Sequence, residues 1–138
     1  MPKINKVDHT AIVVEDIEDA LGFWRDVLGL ELNFQEDDHR EKATVAFLPI
    51  GDSNIELVQP TSEDSGIATF LAKRGPGMHH ICLEVDDIAA MLRYLKEKNI
   101  QLIHDHAITS SNGKKYAFIH PKAASGVLLE LYQLPKKL

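Results

Sequence analysis

The sequence has 138 residues, of which 44% are hydrophobic and 26% are charged, and this balance is typical of an ordinary globular protein. A net charge of −6 at pH 7 argues against a general nucleic-acid-binding face, and no apolar run is long enough to span a membrane. Because Cys82 is the only cysteine, an internal disulfide and a cysteine-based zinc site are both excluded. We therefore expect a cytoplasmic protein without a signal peptide.

The first half of the chain predicts one strand, one helix and three more strands. Residues 4–14 are rich in Ile, Val and Thr and are expected to form the first strand. A helix should begin at Asp16 as N-cap and run through about Leu28, where Gly29 provides the stop. The remaining predicted elements are strands at 30–36, 43–50 and 53–59, a solvated charged loop at 36–42, a hairpin turn at 51–54 and a short helix at 66–73.

The second half repeats this order after the Gly75-Pro76-Gly77 boundary. We predict a strand at 78–85, a helix at 87–98, strands near 101–105, 115–120 and 127–133, and a hairpin turn at 110–113. The chain is thus two tandem β-α-β-β-β modules, residues 4–74 and 78–134. One module leaves a sheet face uncovered, so we predict an α+β fold in which both modules form one incompletely closed mixed β-barrel with outer helices.

The two halves also resemble each other in sequence. The segment Val7–Val14 returns 71 residues later as Met78–Val85, and both copies have a histidine at the third position. Each half then ends in an apolar strand that a single glutamate interrupts, and these two glutamates are 74 residues apart. The corresponding residues are His9 and His80, and Glu56 and Glu130.

This repeated pair of residue types predicts a metal site. A carboxylate within an apolar strand is unfavourable unless something neutralises it, and two such glutamates with two matching histidines can ligate one ion. We predict the ligands to be His9, Glu56, His80 and Glu130. They suit a first-row divalent ion, and cobalt, zinc, nickel, manganese and ferrous iron are not distinguished by them. The alternative ligand His79 neighbours His80, but strand alternation sends it to the opposite face.

A single strand histidine or glutamate is more often structural or solvated than a ligand, and it is the symmetric placement of all four that favours a site. His39, His104 and His106 lie in or near predicted loops and are expected to be solvated. His120 closes a predicted strand and is a weaker candidate for a position near the cleft.

Several segments resemble a known family. Gly77–Asp86, His120–Leu131 and Asn54–Pro60 are similar to motifs of the methylmalonyl-CoA epimerases, which are members of the vicinal oxygen chelate superfamily, and the resemblance covers almost the whole chain. It implies an isomerase that inverts the carbon alpha to the thioester of an acyl-CoA substrate through an enolate. It also implies a divalent metal on the four residues above, a homodimer, and for Glu130 a second role as one acid or base.

One position departs from the family pattern. Some epimerases have a glutamate at or beside the position of Val45, and valine cannot carry a proton. Inversion needs a proton removed from one face of the carbon and another delivered to the opposite face. Glu41, Glu56 and a water molecule remain as alternatives for the second acid or base. Coenzyme A would need cations, for which Lys73, Arg74, Lys114, Lys115 and Lys122 are candidates.

Three other functions are compatible with this superfamily. Glyoxalase I acts on the hemithioacetal of methylglyoxal and glutathione, and its bacterial forms resemble this chain in their His/Glu/His/Glu pattern. An extradiol dioxygenase typically uses two histidines and one glutamate, so a fourth ligand at Glu56 argues against it. A non-catalytic small-molecule binding protein usually lacks a complete ligand set. The motif details favour the epimerase.

Overall fold

A computed structural model describes residues 2–135, which divide into two compact units. One unit contains residues 9–79, and the other contains residues 2–8 together with residues 80–135. The first strand, β1 (Ile4–Val13), therefore contributes residues to both units. The modules 4–74 and 78–134 describe the sequence repeat, and their boundaries stay a prediction.

Both halves have the predicted order of elements. The first half contains β1, a short helix α1 (Ile17–Leu21) that continues as a π-helix (Gly22–Val27), β2 (Phe34–Asp38), β3 (Ala43–Ile50), β4 (Ser53–Pro60) and α2 (Gly66–Arg74). The second half contains β5 (Gly77–Val85), α3 (Ile88–Glu97), β6 (Ile108–Thr109), β7 (Lys115–Ile119), a 3₁₀ turn (Pro121–Ala123) and β8 (Leu129–Gln133). Among residues 2–135, no helix combines the length and the apolar character that a membrane span requires.

In the unit of residues 9–79, the strands lie in the order β2-β3-β4-β1. Strand β1 is parallel to β4, and the other neighbouring pairs are antiparallel. Alternate side chains pack on opposite faces of this sheet. One face packs against α1 through Val14, Ile17, Leu21, Ala46, Leu48 and Leu57. The other packs against α2 through Ala11, Val13, Ala43, Val45, Val58 and Ile67.

The second unit has a corresponding sheet in the order β5-β8-β7-β6, with β5 parallel to β8. Helix α3 packs on one face of this sheet, and the buried residues are Val85, Ile88, Met91, Leu92, Ala117, Ile119 and Leu131. Residues 2–8 are attached to the end of β5. The backbone N–H of Lys3 donates to the carboxylate of Asp86 (3.1 Å), and the Asn5 amide donates to Glu84 (3.3 Å).

The starts of α1 and α3 are each anchored twice. The predicted N-cap Asp16 is confirmed because its carboxylate accepts a hydrogen bond from the N–H of Asp19, and Asp87 does the same for α3 through Ala90. In addition, a glutamine from the last strand of each half accepts from the first helical N–H. The bonds are Ile17 N–H to Gln59 Oε1 (2.9 Å) and Ile88 N–H to Gln133 Oε1 (2.8 Å).

The sequence predicts one helix through about Leu28, but only Ile17–Leu21 is α-helical. From Gly22 the chain is π-helical, with a hydrogen bond from the N–H of Leu28 to the carbonyl of Phe23 five residues earlier (2.9 Å). The predicted stop at Gly29 agrees with its positive φ of 85°, which a residue without a side chain adopts at no steric cost.

Two predicted strands differ from the strands that the structure has. The strand expected at 30–36 is Phe34–Asp38, so part of the predicted charged loop is an edge strand whose polar side chains face solvent. No regular strand forms at 101–105. The N–H groups of Ile103 and His104 both donate to the carbonyl of Phe118 (2.9 and 3.3 Å), so the chain bends away after the single bridge at Leu102.

Candidate metal centre

The first histidine–glutamate pair lies in the unit of residues 9–79. The parallel register of β1 and β4 places Ala11 beside Glu56, so His9 lies two residues earlier on the same face. Nδ1 of His9 is 3.0 Å from Oε2 of Glu56, and the two side chains are only 10% and 14% exposed. A carboxylate this far removed from water requires a compensating partner, which His9 supplies.

The second pair repeats this arrangement in the other unit. The register of β5 and β8 places Cys82 beside Glu130, and His80 again lies two residues earlier on the same face. Nε2 of His80 is 3.1 Å from Oε1 of Glu130, and both side chains are 14% exposed. Each half therefore builds the same largely buried pair from its first and last strands.

The spacing within each pair suits two ligands of one ion. Two ligand atoms about 2.1 Å from a common ion are about 3.0 Å apart at a right angle and about 3.4 Å apart at the tetrahedral angle. The observed nitrogen–oxygen distances of 3.0 and 3.1 Å lie in this range. Imidazole and carboxylate are also the donor types that first-row divalent metals accept. The residues present in each unit therefore fit a metal.

The surroundings of Glu56 are aromatic and acidic. Phe47 lies directly opposite Glu56 on β3, and Phe34 of β2 stacks on Phe47 with ring centroids 4.3 Å apart. Val45, where a proton carrier could have stood, is buried and packs in the core. Directly opposite Val45 on β2 is Glu36, whose side chain shares the face that carries Phe47 and Glu56.

The surroundings of Glu130 follow the same plan in the other unit. Phe118 lies opposite Glu130 on β7, and its ring meets the ring of His80 edge to face at 5.6 Å. The next pair on this face is Tyr116 and Tyr132. Burial raises the pKa of the Tyr132 hydroxyl, although the ammonium group of Lys114, 5.4 Å from the ring centroid, acts in the opposite direction.

His104 is a residue of this face that sequence reasoning missed. It is half-buried rather than solvated, and its Nδ1 accepts a hydrogen bond from the backbone N–H of Phe118 at 3.0 Å. Its ring also contacts the rings of Phe118 and Tyr116, with centroids 5.8 and 6.3 Å away. No local sequence signal identifies this role, because it depends on how residues 102–104 dock beside β7.

The other candidate residues have contacts of their own or are exposed. The ring of His79 packs edge to face against Phe70, with the ring centroids 5.1 Å apart. Strand alternation places His79 and His80 on opposite faces of β5. Glu41 lies in the turn that precedes β3, where its N–H donates to Asp38. Nδ1 of His120 accepts from the N–H of Lys122 and begins the 3₁₀ turn. The side chains of His39 and His106 are exposed.

Comparison with known proteins identifies the family. Residues 8–118 match the Glyoxalase/Bleomycin resistance protein/Dioxygenase superfamily. A mouse protein named mitochondrial methylmalonyl-CoA epimerase is 40% identical over 132 residues, which cover 95% of this chain and 74% of the mouse protein. The chain belongs to the methylmalonyl-CoA epimerase family. Another family member, the ethylmalonyl-CoA/methylmalonyl-CoA epimerase of Cereibacter sphaeroides, is 38% identical and is matched over 99% of its length.

Solved structures of methylmalonyl-CoA epimerases have the same fold. A variant of the Streptomyces coelicolor epimerase in complex with 2-nitronate-propionyl-CoA matches with a TM-score of 0.87 and 31% identity over 95% of each chain. A methylmalonyl-CoA epimerase in complex with methylmalonyl-CoA and NH4+ matches with a TM-score of 0.86. This agreement confirms the predicted fold class, and it confirms the family resemblance read from the motifs of the sequence.

Proposed function

We propose that this protein is an isomerase that inverts the alpha carbon of methylmalonyl-CoA through an enolate. The observation that carries the proposal is the largely buried histidine–glutamate pair in each half of a methylmalonyl-CoA epimerase family member. The related structures that contain an acyl-CoA or its analogue support a CoA thioester as the substrate class.

The proposed metal ligands are His9, Glu56, His80 and Glu130. The equivalence of the two pairs in the repeat supports a single ion for all four residues, and the ligand types leave open whether it is cobalt, zinc, nickel, manganese or iron. When bound, a divalent ion supplies positive charge that stabilises the enolate oxygen as the alpha proton leaves. The two carboxylates would lower the net charge of the occupied site.

Two carboxylates are proposed to transfer the protons. Inversion requires that one group removes the alpha proton and a second group protonates the opposite face of the carbon. We assign one role to Glu130, as the family resemblance implies. We assign the other to Glu36, because it stands opposite Val45 on the face of β2 that continues from Glu56. The side chains of Glu56 and Glu130 are each 14% exposed, and Phe47 and Phe118 lie directly opposite them on the neighbouring strands.

A second candidate is the glyoxalase I reaction. The donor set of two histidines and two glutamates favours it equally, and a probable lactoylglutathione lyase of Vibrio cholerae is 26% identical over 129 residues. The epimerase assignment is preferred because the identity with methylmalonyl-CoA epimerases reaches 40% over nearly the same length.

Proton exchange with solvent tests the proposed reaction. We expect the metal-loaded protein to interconvert the two epimers of methylmalonyl-CoA in D₂O and to place deuterium at the alpha carbon, because the enolate is protonated by groups that equilibrate with solvent. NMR or mass spectrometry of the thioester measures this exchange. The same preparation is offered the methylglyoxal–glutathione hemithioacetal. Turnover of that adduct, with no exchange into methylmalonyl-CoA above the uncatalysed rate, would favour glyoxalase I instead.

The assembly and location are also proposed. We infer a homodimer from the family resemblance, together with the exposed edge strand β2, which offers unpaired backbone groups to a partner. The cytoplasmic location expected from the sequence stays a prediction.

A further inference from the structure

The feature that leads to a further inference is the orientation of the His104 ring. Its Nδ1 accepts a hydrogen bond from the N–H of Phe118, so this nitrogen must present its lone pair. In a neutral imidazole the proton then resides on Nε2, which becomes a donor. Within residues 2–135, the structure gives Nε2 of His104 no hydrogen-bonding partner.

The ring of His104 lies beside aromatic side chains of the face that carries the second metal-ligand pair. The register of β7 and β8 puts Phe118 opposite Glu130 and Tyr116 opposite Tyr132, so both aromatic side chains lie on that face. His104 contacts both rings. The ring of Phe118 also contacts the ring of His80, so the two histidines pack against the same phenylalanine.

The first half of the chain offers a comparison, because there an apolar ring packs on the corresponding phenylalanine. Phe47 corresponds to Phe118 in the 71-residue repeat, and the ring that packs on Phe47 is the apolar Phe34. A phenylalanine is therefore sufficient to pack on this ring in the first half. In the second half the imidazole of His104 lies beside Phe118, with ring centroids 5.8 Å apart, and a backbone N–H fixes its tautomer.

We propose that His104 is a substrate-binding residue that donates a hydrogen bond from Nε2 to an anionic oxygen of the acyl group. This inference rests on the proposed function and adds a contact beyond the metal ligands. The oxygen belongs either to the free carboxylate of the substrate or to the enolate. The lone pair of Nε2 is not available in this tautomer, so His104 acts as a donor and does not remove the alpha proton.

Two substitutions separate this donor role from the bond to Phe118. In His104→Asn the side-chain oxygen can still accept from the Phe118 N–H, but the short amide does not reach the place of Nε2. In His104→Gln the longer amide can present a donor near the place of Nε2, while the acceptor beside Phe118 is lost. The exposed His106, replaced by asparagine, is the matched control.

We expect His104→Asn to lower kcat/KM for methylmalonyl-CoA by about tenfold or more, because one hydrogen bond to a charged oxygen is lost. His104→Gln should recover part of this loss, and His106→Asn should behave as the wild type. Propionyl-CoA, which has no free carboxylate, distinguishes the two oxygens. Unchanged propionyl-CoA affinity in His104→Asn together with weakened methylmalonyl-CoA affinity identifies the carboxylate. A lower kcat with slower alpha-proton exchange of propionyl-CoA identifies the enolate oxygen.

Wild-type kinetics in His104→Asn would overturn the inference, and so would a larger loss in His104→Gln than in His104→Asn, because that order follows the backbone bond. Nitrogen-15 NMR of the wild-type imidazole provides a readout that does not depend on activity. It should show the neutral ring protonated at Nε2, and a proton on Nδ1 would contradict the proposal. If the wild type fails to epimerise methylmalonyl-CoA although the tautomer is as expected, the proposed function fails rather than the geometry of His104.

Discussion

Glu36 and Val45 illustrate how the chemistry of a site can be carried by neighbouring strands. A valine cannot transfer a proton, so the side chain of Val45 only completes the core. Residues directly opposite each other in antiparallel strands project from the same face with their Cβ atoms about 5 Å apart. Glu36 therefore begins within one side-chain length of the space above Val45, and its side chain is exposed.

We expect Glu36→Gln to reduce epimerisation by about 100-fold or more while leaving the metal content unchanged, because general acid–base catalysis contributes on this order. Exchange of the alpha proton should persist for one epimer and be lost for the other, since one of the two proton carriers remains. Separate D₂O exchange experiments with each epimer measure this asymmetry. Glu41→Gln, in the turn before β3, is compared in the same assay and should keep the exchange of both epimers. Loss of epimerisation in Glu41→Gln rather than in Glu36→Gln would reassign the role to Glu41, and normal epimerisation in both variants would reassign it to Glu56 or to water.

Among the elements, the last strand of each half has two functions that are three residues apart. It carries the glutamate that we propose as a metal ligand, and its glutamine accepts a hydrogen bond from the first turn of the helix. Gln133 is 8% exposed, and the Ile88 N–H that it accepts from is buried. Strand β8 thereby connects the position of Glu130 to the packing of α3.

We expect Gln133→Ala to lower the free energy of unfolding by about 1–3 kcal/mol, because the buried N–H of Ile88 loses its acceptor and the side chain leaves a gap. Urea unfolding followed by circular dichroism measures this change. The exposed Gln101, replaced by alanine, controls for the loss of a glutamine and should change stability by less than about 0.5 kcal/mol. Equal stabilities of the two variants would show that the anchor is dispensable.

For the whole molecule, the main consequence of the proposal is one metal ion per chain rather than one ion for each half. Each half contains a largely buried pair with ligand-like spacing, so two separate ions are the natural alternative. Two protein ligands leave most of a coordination shell to water, whereas four provide the set that transition-metal sites commonly have. A single ion that uses all four ligands therefore binds more tightly.

We expect one equivalent of metal per wild-type chain by elemental analysis, and nearly none in either His9→Ala or His80→Ala. His79→Ala should retain the metal, because its ring packs against Phe70 instead. Metal addition to the stripped wild type should raise the melting temperature. A metal concentration of 100 times Kd should add about 2.7 kcal/mol to the free energy of unfolding. Two equivalents in the wild type, with one remaining in each single variant, would establish two independent ions.

The sequence alone was enough to predict the repeat, the β-α-β-β-β order, the helix caps and the four ligand candidates. These features depend on patterns within short segments or on the equivalence of two segments at a constant spacing, and both are visible without coordinates. The confirmed N-cap at Asp16 is one example, because its hydrogen bond is made within a single turn. The nomination of His9 and His80 from matching strands is another.

Only the tertiary structure decided which side chains stand beside these pairs. The role proposed for Glu36 depends on the register between β2 and β3, and the tautomer of His104 is fixed by a backbone N–H 14 residues away in the chain. Strand register and loop docking arise from packing between segments that are distant in sequence, and a shift of one residue reverses the face of every side chain. Local residue patterns carry little information about such pairings, which is why the strand at 101–105 was wrongly predicted and His104 was taken for a solvated residue.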